Sequence, residues 1–373
     1  MKIFIMYAYA GVGHKKAADA VENALRDFKG AEVKNFDILD YTNPFFKFTY
    51  PRFYLFMINR IPLLWGFLYY FLDAGAVDAF LGPFRRFLHR VNSGRLIKFI
   101  INEKPDVIIS THFIPGEIAA GLKRKGLFKG RLITIVTDFM PHSFWMAKDS
   151  DYFIGAIDKT KKELMRRGIS EEKIKALGIP CDPVFGVSKG RREMINKLGL
   201  KDGFFNLLIM GGGFGTGPVR EIVRSVCGAG SSARDKIQVI VICGKNKKLL
   251  DDLNAAKKDL KAMIAPFGYM NNIDEFMEAS DLIVTKSGGL TVSEALSKKL
   301  PMIIIRPILG QETRNCGILE EYGAAVRADS SGEVVKRVEE FIKFPEKLIG
   351  MKARISVIAY PDAAKEIAKL AVS

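Results

Sequence analysis

Short apolar runs alternate with stretches of helical periodicity along most of the chain. Between the first two runs, apolar side chains recur on one face of a helix predicted over Lys15–Lys29. This alternation predicts an α/β fold with parallel sheets that are covered on both faces. The predicted buried strands are Lys2–Tyr9, Asp106–Ser110, Arg131–Thr137, Asp151–Gly155, Asn206–Met210, Gln238–Cys243, Asp281–Thr285 and Pro301–Arg306.

Each half of the chain opens with a strand and a glycine-rich turn. Gly11-Val12-Gly13-His14 follows the first strand, and Gly211-Gly212-Gly213 follows Asn206–Met210. At ~100–200 residues per domain, 373 residues suggest two domains. Prolines and glycines between residues 177 and 186 place the junction there, which gives an N-terminal domain of 1–180 and a C-terminal domain of 181–373. The last helix is free to pack back on the first domain.

Two such domains predict a pair of Rossmann-like units whose parallel sheets face across a cleft. Ligands of open α/β sheets bind outside the carboxyl ends of the strands, so we expect the functional residues in the turns that follow the predicted strands.

The segment from Phe48 to Phe87 breaks this pattern, because it is dense in aromatic residues and is flanked by arginines and lysines. Arg60 and Pro62 interrupt it, so it lacks the ~20 consecutive apolar residues that span a bilayer. Aromatic residues with basic flanks are typical of a segment that lies in the membrane interface. The alternative is a helical insertion whose aromatic side chains fill a core. His89, among Arg86 and Arg90, is predicted to be on the surface, where it faces either solvent or lipid.

The charge adds an expectation about partners. Lys and Arg number 57 against 41 Asp and Glu, a net charge of +16. Such an excess predicts an anionic partner, which can be nucleic acid, an acidic membrane or a phosphorylated substrate. The four cysteines are scattered and form no CxxC or Cys/His cluster, so we expect no metal site and a reducing, cytoplasmic environment.

The most informative stretch runs from Asp281 to Leu296, where a predicted strand ends in a glycine turn and a helix begins. Glycines allow backbone N–H groups to approach a ligand closely, and a helix N-terminus favours an anion such as a diphosphate. Glu294, about one turn further on, is placed to accept hydrogen bonds from ribose hydroxyls. The candidate nucleotide-binding residues are Ser287, Gly288, Gly289, Thr291 and Glu294. The alternative is a turn that needs glycine for its geometry alone.

A second polar turn follows the predicted strand Pro301–Arg306. Gln311, Glu312 and Asn315 bring amide and carboxylate groups together, and such groups suit hydrogen bonding to sugar hydroxyls. The alternative is a helix N-terminus with solvated polar residues. Arg314 lies within this stretch.

These motifs resemble the C-terminal donor domain of the MurG-type glycosyltransferases. The N-terminal half narrows the resemblance: the segments Gly11–Ala18, Val136–Trp145 and Gly178–Pro183 are similar to the monogalactosyldiacylglycerol synthases and bacterial diacylglycerol glucosyltransferases. The resemblance covers most of the chain and is weakest over Phe48–Phe87.

The resemblance implies a GT-B fold and an inverting transferase that needs no metal or other cofactor. The donor is expected to be UDP-glucose or UDP-galactose, and the acceptor diacylglycerol or a glycosyldiacylglycerol. The N-terminal domain would hold the lipid and the C-terminal domain the nucleotide sugar. The aromatic segment would then make the protein peripheral at the cytoplasmic face of an anionic membrane.

The resemblance also assigns roles to residues. His14 is the candidate base, since the family has histidine at that place and a helix N-terminus keeps the ring neutral. Asp138 and His142 form a second candidate catalytic pair that orients the acceptor or His14. The remaining candidate donor contacts are Gly13, Gly212, Gly213, Phe214, Phe267 and Tyr269.

Other functions remain open at this stage. They are MurG-like transfer of N-acetylglucosamine to a polyprenyl-linked acceptor, hydrolysis or epimerisation of a nucleotide sugar, and nucleic-acid binding. The last is disfavoured because no helix-turn-helix, zinc or RNA-binding signature is present. The sequence does not determine the oligomeric state.

Overall fold

The computed structural model describes the whole chain except residues 10, 212–216, 229, 234 and 258–262. The chain divides into two compact units, and each is built from more than one stretch of sequence. The first unit comprises Met1–Pro183, Ile308–Asn315 and Tyr360–Ser373, and the second comprises Val184–Pro307 and Cys316–Ala359. The segment Ile308–Asn315, which carries the second polar turn, thus belongs to the first unit, although the sequence boundary lay at residues 180 and 181.

Within the described residues, each unit contains a six-stranded, wholly parallel sheet. The strands are β1 (Lys2–Tyr7), β2 (Glu32–Asp37), β3 (Val107–Ser110), β4 (Arg131–Ile135), β5 (Tyr152–Gly155), β6 (Ile174–Ala176), β7 (Phe205–Met210), β8 (Ile237–Ile242), β9 (Met263–Phe267), β10 (Leu282–Thr285), β11 (Met302–Ile305) and β12 (Ala325–Ala328). The first sheet has the order β2-β1-β3-β4-β5-β6, and the second has the order β12-β11-β10-β7-β8-β9. The predicted α/β class is confirmed.

Helices cover the sheets and connect the parallel strands. Those of the first unit are α1 (Val12–Leu25), α2 (Pro44–Arg60), α3 (Pro62–Asp73), α4 (Gly75–Asn92), α5 (Gly94–Glu103), α6 (Phe113–Arg124), α7 (Asp158–Arg166) and α16 (Ala363–Val372). Those of the second unit are α8 (Arg191–Lys197), α9 (Val219–Cys227), α10 (Lys247–Ala256), α11 (Ile273–Ala279), α12 (Gly289–Ser297), α14 (Ser331–Lys343) and α15 (Glu346–Ile358). Helix α13 (Gln311–Glu321) begins in the first unit and ends in the second.

The first unit buries its sheet between two apolar layers. One layer joins β1, β3 and β4 to α1 and α16, and its centre includes Ile5, Val21 and Ile367. The other lies under α5 and α6 and includes Phe4 and Leu96. The C-terminal helix is fixed to this unit by the Arg131 guanidinium, which donates to the Leu370 carbonyl at 2.9 Å.

The three helices α2, α3 and α4 differ from the rest because their aromatic side chains are largely exposed. Phe80, Phe84, Phe87 and Val91 form one exposed stripe along α4, at the spacing of a helix face. Tyr69 is buried and Tyr50 is half-buried, so the core interpretation holds for only part of the segment. Among the described residues no single helix meets the length and hydropathy of a membrane span, whereas α2 and α3, bent by 116°, meet them together.

Candidate active site

His14 lies in the first turn of α1, which follows the carboxyl end of β1, the strand next to the edge strand β2. The helix begins after Gly11, which has an extended backbone and offers no capping side chain. The His14 Nδ1 atom lies 2.7 Å from the Thr111 carbonyl oxygen. A carbonyl can only accept, so the proton of the neutral ring is on Nδ1 and the lone pair is on Nε2. This is the tautomer that a general base requires.

The surroundings of His14 keep the ring neutral. Burial lowers the pKa of His14 to about 4, and the hydrogen bond to Thr111 opposes this shift only in part. The His112 ring packs edge-on at 4.6 Å between centroids, and the Trp145 ring lies at 6.4 Å. A second hydrogen bond joins the same two residues: the Thr111 hydroxyl donates to the His14 carbonyl oxygen at 2.9 Å. The His14 ring is therefore unprotonated at neutral pH, as the predicted role of a base requires.

His112 and His142 are each used as helix caps. The His112 Nδ1 atom accepts from the Ile114 amide at 3.2 Å. The His142 Nδ1 atom accepts from the Phe144 amide at 3.2 Å, and its Nε2–H donates to the Tyr69 carbonyl at 2.9 Å. Burial lowers the pKa of His142 to about 4, so the ring is neutral with both nitrogens engaged. This geometry favours a positioning role for His142 over proton transfer.

Asp138 follows β4 and is buried, with its carboxylate held by amide groups from a distant part of the sequence. The Gln311 Nε2 atom donates to Asp138 Oδ1 at 2.7 Å, and the Asn315 Nδ2 atom approaches the same oxygen at 3.4 Å. Burial raises the pKa of Asp138 to about 6, although these hydrogen bonds and one from Trp145 act in the opposite direction. The structure thus brings together Asp138 from one predicted motif and Gln311 and Asn315 from another.

Asn315 and Glu312 make local contacts in addition. The Asn315 side chain is fully buried, and its Oδ1 atom accepts from the Phe139 amide at 3.0 Å. The Glu312 carboxylate accepts from the Ile308 amide at 2.9 Å and closes the turn that precedes α13. These contacts give the polar turn a structural role in the first unit, next to its predicted role in sugar binding.

Asp73 is a buried acid that the sequence reasoning did not single out. It accepts from Arg167 at 2.8 and 3.0 Å, from Arg314 at 2.6 Å and from the Ser143 amide at 2.7 Å. Burial acts to raise the pKa of Asp73, but the two guanidinium groups lower it below its usual range. The only sequence signal was that Asp73 is one of two acids in a basic segment.

His89 and Glu117 form a second buried pair that the sequence did not reveal. The His89 Nδ1 atom lies 2.7 Å from Glu117 Oε2, and both side chains are about nine-tenths buried. The prediction that His89 lies on the surface was therefore wrong. Helical periodicity put it beside exposed arginines, whereas the packing of α4 on α6 turned it inward.

In the second unit, the turn after β10 leads into α12 as the sequence predicted. Gly288 is the N-terminal capping residue of α12 and has no side chain to occupy the first-turn amides. Ser287 and Glu294 are buried, and Gly288 and Thr291 are half-buried. The Lys286 side chain packs beside Gly217, 3.4 Å from the place that a Cβ would take there. Lys286 is a cation that the sequence reasoning passed over, although it directly precedes Ser287.

The remaining predicted donor contacts lie in several parts of the chain. Phe267 ends the edge strand β9, where its carbonyl accepts from the Cys243 amide at 2.8 Å, and Tyr269 follows it with an exposed ring. Gly212, Gly213 and Phe214 lie outside the described residues. Gly13 lies in the first turn of α1, directly before His14. Among the described residues, no group of three or more His, Cys, Asp or Glu is arranged to hold a metal ion.

Comparison with solved structures defines the class of fold. MurG from Acinetobacter baumannii matches with a TM-score of 0.66 at 14% identity, covering 100% of this chain and 99% of that one. The UDP-GlcNAc 2-epimerase from Neisseria meningitidis matches with a TM-score of 0.63 at 13% identity, covering 100% of both chains. Two Rossmann-like units, each with a parallel sheet, and these structural neighbours define a protein of the GT-B fold, as the resemblance implied.

Comparison at the sequence level defines the family. Residues 14–181 match the family described as monogalactosyldiacylglycerol (MGDG) synthase, and residues 206–367 match the glycosyltransferase family 28 C-terminal domain. A processive diacylglycerol beta-glucosyltransferase from Bacillus cereus is 30% identical over 366 residues, covering 98% of this chain and 92% of the relative. One from Bacillus thuringiensis is 29% identical over 366 residues, with the same coverage. The protein is a glycosyltransferase, and it belongs to the family of the MGDG synthases and bacterial diacylglycerol glucosyltransferases.

Proposed function

We propose that the protein transfers glucose from UDP-glucose to diacylglycerol, or to a glycosyldiacylglycerol, at the surface of an anionic membrane. The observation that carries the proposal is the 2.7 Å contact between His14 Nδ1 and the Thr111 carbonyl oxygen. It places the ring proton on Nδ1, so the Nε2 lone pair can act as the base that an inverting transfer needs. Glucose as the sugar and diacylglycerol as the acceptor are supported by relatives that are named as diacylglycerol beta-glucosyltransferases and are aligned over 98% of the chain. A UDP-linked donor is what the family resemblance implies.

The transfer is a single displacement at the anomeric carbon. The acceptor hydroxyl gives its proton to His14 Nε2 as its oxygen bonds to the sugar, and the bond between the anomeric carbon and the diphosphate oxygen breaks. The electron pair of that bond leaves with UDP. The uncapped N-terminus of α12 and the Lys286 ammonium supply donors and positive charge for this leaving group. Glu294 accepts hydrogen bonds from the ribose.

Exposed apolar and basic groups support the membrane as the site of action. Arg60, Arg86, Arg90 and Arg95 are exposed, and none of them has an ion-pair partner among the residues that the structure describes. Each such cation near an anionic leaflet contributes about 1 kcal/mol. The exposed aromatic rings lie on α2, α3 and α4, and α2 and α4 also carry three of these arginines. Together they fit a peripheral protein that takes its acceptor from the lipid surface.

An assay of donors and acceptors tests the proposal. Purified protein is incubated with diacylglycerol vesicles and, separately, with UDP-glucose, UDP-galactose and UDP-N-acetylglucosamine, and the products are identified by mass and by anomeric configuration. We expect β-glucosyl diacylglycerol from UDP-glucose. Transfer only of N-acetylglucosamine, and only to a polyprenyl-linked acceptor, would support the MurG-like alternative instead.

A binding measurement tests the donor role of Glu294. Because a hydrogen bond to a charged group contributes about 1.5–3 kcal/mol, Glu294→Gln is expected to weaken UDP binding by about 10- to 100-fold. The matched control is Glu346→Gln, an exposed residue in the first turn of α15. Equal UDP affinity in the two variants, measured by calorimetry, would remove Glu294 from the ribose site.

The buried Asp138 carboxylate is expected to lower the free energy of unfolding at neutral pH. Its pKa is raised from 3.8 to about 6, so the folded state binds the proton more tightly than the unfolded state does. Stability from this group is thus present below pH 4 and is lost as the pH rises through 6. At about 1.4 kcal/mol per pKa unit, Asp138→Asn should stabilise the fold by up to roughly 3 kcal/mol at pH 7.5.

The same variant is expected to lower kcat, since the carboxylate that orients the site is gone. Chemical denaturation at pH 7.5 and at pH 4 provides the comparison, because the gain in stability should shrink at the lower pH. A variant that is less stable than the wild type at pH 7.5 would show that the buried carboxylate is not a source of strain.

A further inference from the structure

Helix α3 exposes large apolar side chains on its outward face and buries an acidic residue on its inward face. Its outward face carries Leu63, Phe67 and Phe71, which are 78%, 64% and 46% exposed. Its inward face carries Gly66, Tyr69 and Asp73, all of them buried. A water-soluble helix normally presents polar groups outward, so the outward face of α3 is suited to an apolar surface.

Residues of α3 from Gly66 to Asp73 contact the segment Ile308–Asn315 at several points. A Cβ atom at Gly66 would lie only 2.8 Å from Leu309 Cβ, and one at Gly310 would lie 2.7 Å from the Tyr69 ring. The Tyr70 hydroxyl is 3.2 Å from Thr313 Oγ1. These contacts pack α3 closely against the segment.

An ion pair between Arg314 and Asp73 joins the segment to the C-terminal end of α3. The Arg314 guanidinium donates to Asp73 at 2.6 Å and lies about 5 Å from the centres of the Tyr69 and Tyr70 rings, at 5.1 and 4.9 Å. The ion pair is about four-fifths buried or more on both sides. In such a setting a charge-assisted bond is stronger than at the surface, so Arg314 ties the segment firmly to the last turn of α3.

The opposite side of the same segment holds Asp138. Gln311 and Asn315 donate to the Asp138 carboxylate, and the Asn315 Oδ1 atom accepts from the Phe139 amide. A single eight-residue segment therefore connects the exposed apolar helix to the buried carboxylate. The connection consists of packed and hydrogen-bonded groups at every step.

We propose that α3 couples contact with a lipid surface to the placement of Asp138, through the segment Ile308–Asn315. The outward face of α3 binds the lipid surface, which restrains the helix; the inward face then holds the segment so that Gln311 stays on Asp138. The proposal rests on the proposed function for its lipid surface and its reaction. A change that separates α3 from the segment should therefore weaken the effect of lipid on the site and leave the lipid-binding face in place.

Tryptophan fluorescence tests the coupling without using activity. The chain has two tryptophans, Trp65 in α3 and Trp145, which is buried beside Asp138 and donates to it. In a Trp65→Phe background, Trp145 alone reports on the site. We expect phosphatidylglycerol vesicles to shift the Trp145 emission, and the shift to disappear when Gly66→Ala is added, because the new methyl group displaces Leu309. The matched control is Gly75→Ala, where a Cβ meets nothing within 4 Å.

Activity gives the second readout. Turnover of dihexanoylglycerol, a soluble acceptor, is measured with and without phosphatidylglycerol vesicles. We expect vesicles to raise kcat at least about fivefold in the wild type and in Gly75→Ala, but not in Gly66→Ala, while vesicle binding stays equal in all three. If Gly66→Ala does not fold, Tyr70→Phe replaces it, since it removes only the hydroxyl bonded to Thr313 and should reduce the stimulation.

The outcomes separate the coupling from the proposed function. Vesicle binding without any change in Trp145 emission, or equal stimulation of Gly66→Ala and wild type, overturns the coupling. A shift of Trp145 emission with no glycosyl transfer under either condition overturns the proposed function and leaves the coupling supported.

Discussion

His14→Asn is expected to lower kcat by about 10²- to 10⁴-fold, the usual contribution of a general base, and to leave the affinity for UDP unchanged. The effect is large because the variant removes the only atom in the proposed reaction that accepts the acceptor proton, the Nε2 lone pair. Asparagine is the appropriate replacement, since its side-chain amide can take the place of Nδ1 and donate to the Thr111 carbonyl, which accepts from the ring at 2.7 Å. The start of α1 should therefore be retained.

Three measurements decide the role of His14. Single-turnover rates give the loss in the chemical step, calorimetry gives the UDP affinity, and the unfolding midpoint shows that the fold is intact. With a pKa of about 4, His14 is unprotonated throughout the neutral range, so kcat should not show a His14 titration between about pH 6 and 8. A His14→Asn variant with a rate within twofold of the wild type would exclude His14 as the base.

The second large effect is expected on the lipid surface. Replacing Phe80, Phe84 and Phe87 of α4 together by serine should weaken binding to phosphatidylglycerol vesicles by about a thousandfold. The three rings are 82%, 62% and 60% exposed, so the fold loses few contacts. At about 1.5 kcal/mol for each ring that enters the lipid surface, the total is about 4.5 kcal/mol, and each 1.4 kcal/mol is a factor of ten in affinity.

A matched control separates this effect from general apolar exposure. Val187, Ile349 and Val357 of the second unit are 55%, 69% and 73% exposed, and their replacement by serine should leave vesicle binding unchanged. Sedimentation with vesicles at low and high salt measures both variants. The basic residues of the segment add a salt-dependent contribution, which should persist in the phenylalanine variant. Equal binding by the two triple variants would show that α4 does not face the membrane.

The sequence predicted the buried strands well and missed the strands at the sheet edges. The eight strands predicted from apolar runs are all present, with ends that differ by a few residues. The four strands it did not predict, β2, β6, β9 and β12, are the two outermost strands of each sheet. An edge strand has one neighbour and is partly exposed, as in β2 and β12, so it does not need the continuous apolar run by which the others were found.

For the candidate site, local motifs located residues but not their partners. His14 at the start of α1 and the glycine turn before α12 follow from patterns within about ten residues of chain. The contacts of Asp138 with Gln311 and Asn315 connect positions more than 170 residues apart in the sequence, and no local pattern encodes them. Local patterns also do not encode the contacts of Asp73 with Arg167 and Arg314, 94 and 241 residues away, or that of His89 with Glu117, 28 residues away.

The sequence by itself determined the α/β class, the two Rossmann-like units, the family and the position of the candidate base, because each depends on periodicity or on a short motif. It also showed that the aromatic segment is unusual and basic. Only the tertiary structure decided which of those aromatic side chains are exposed, and that Ile308–Asn315 joins the first unit between α3 and Asp138. Burial and ion pairing depend on which helices pack together, and packing brings together residues that lie far apart in the chain.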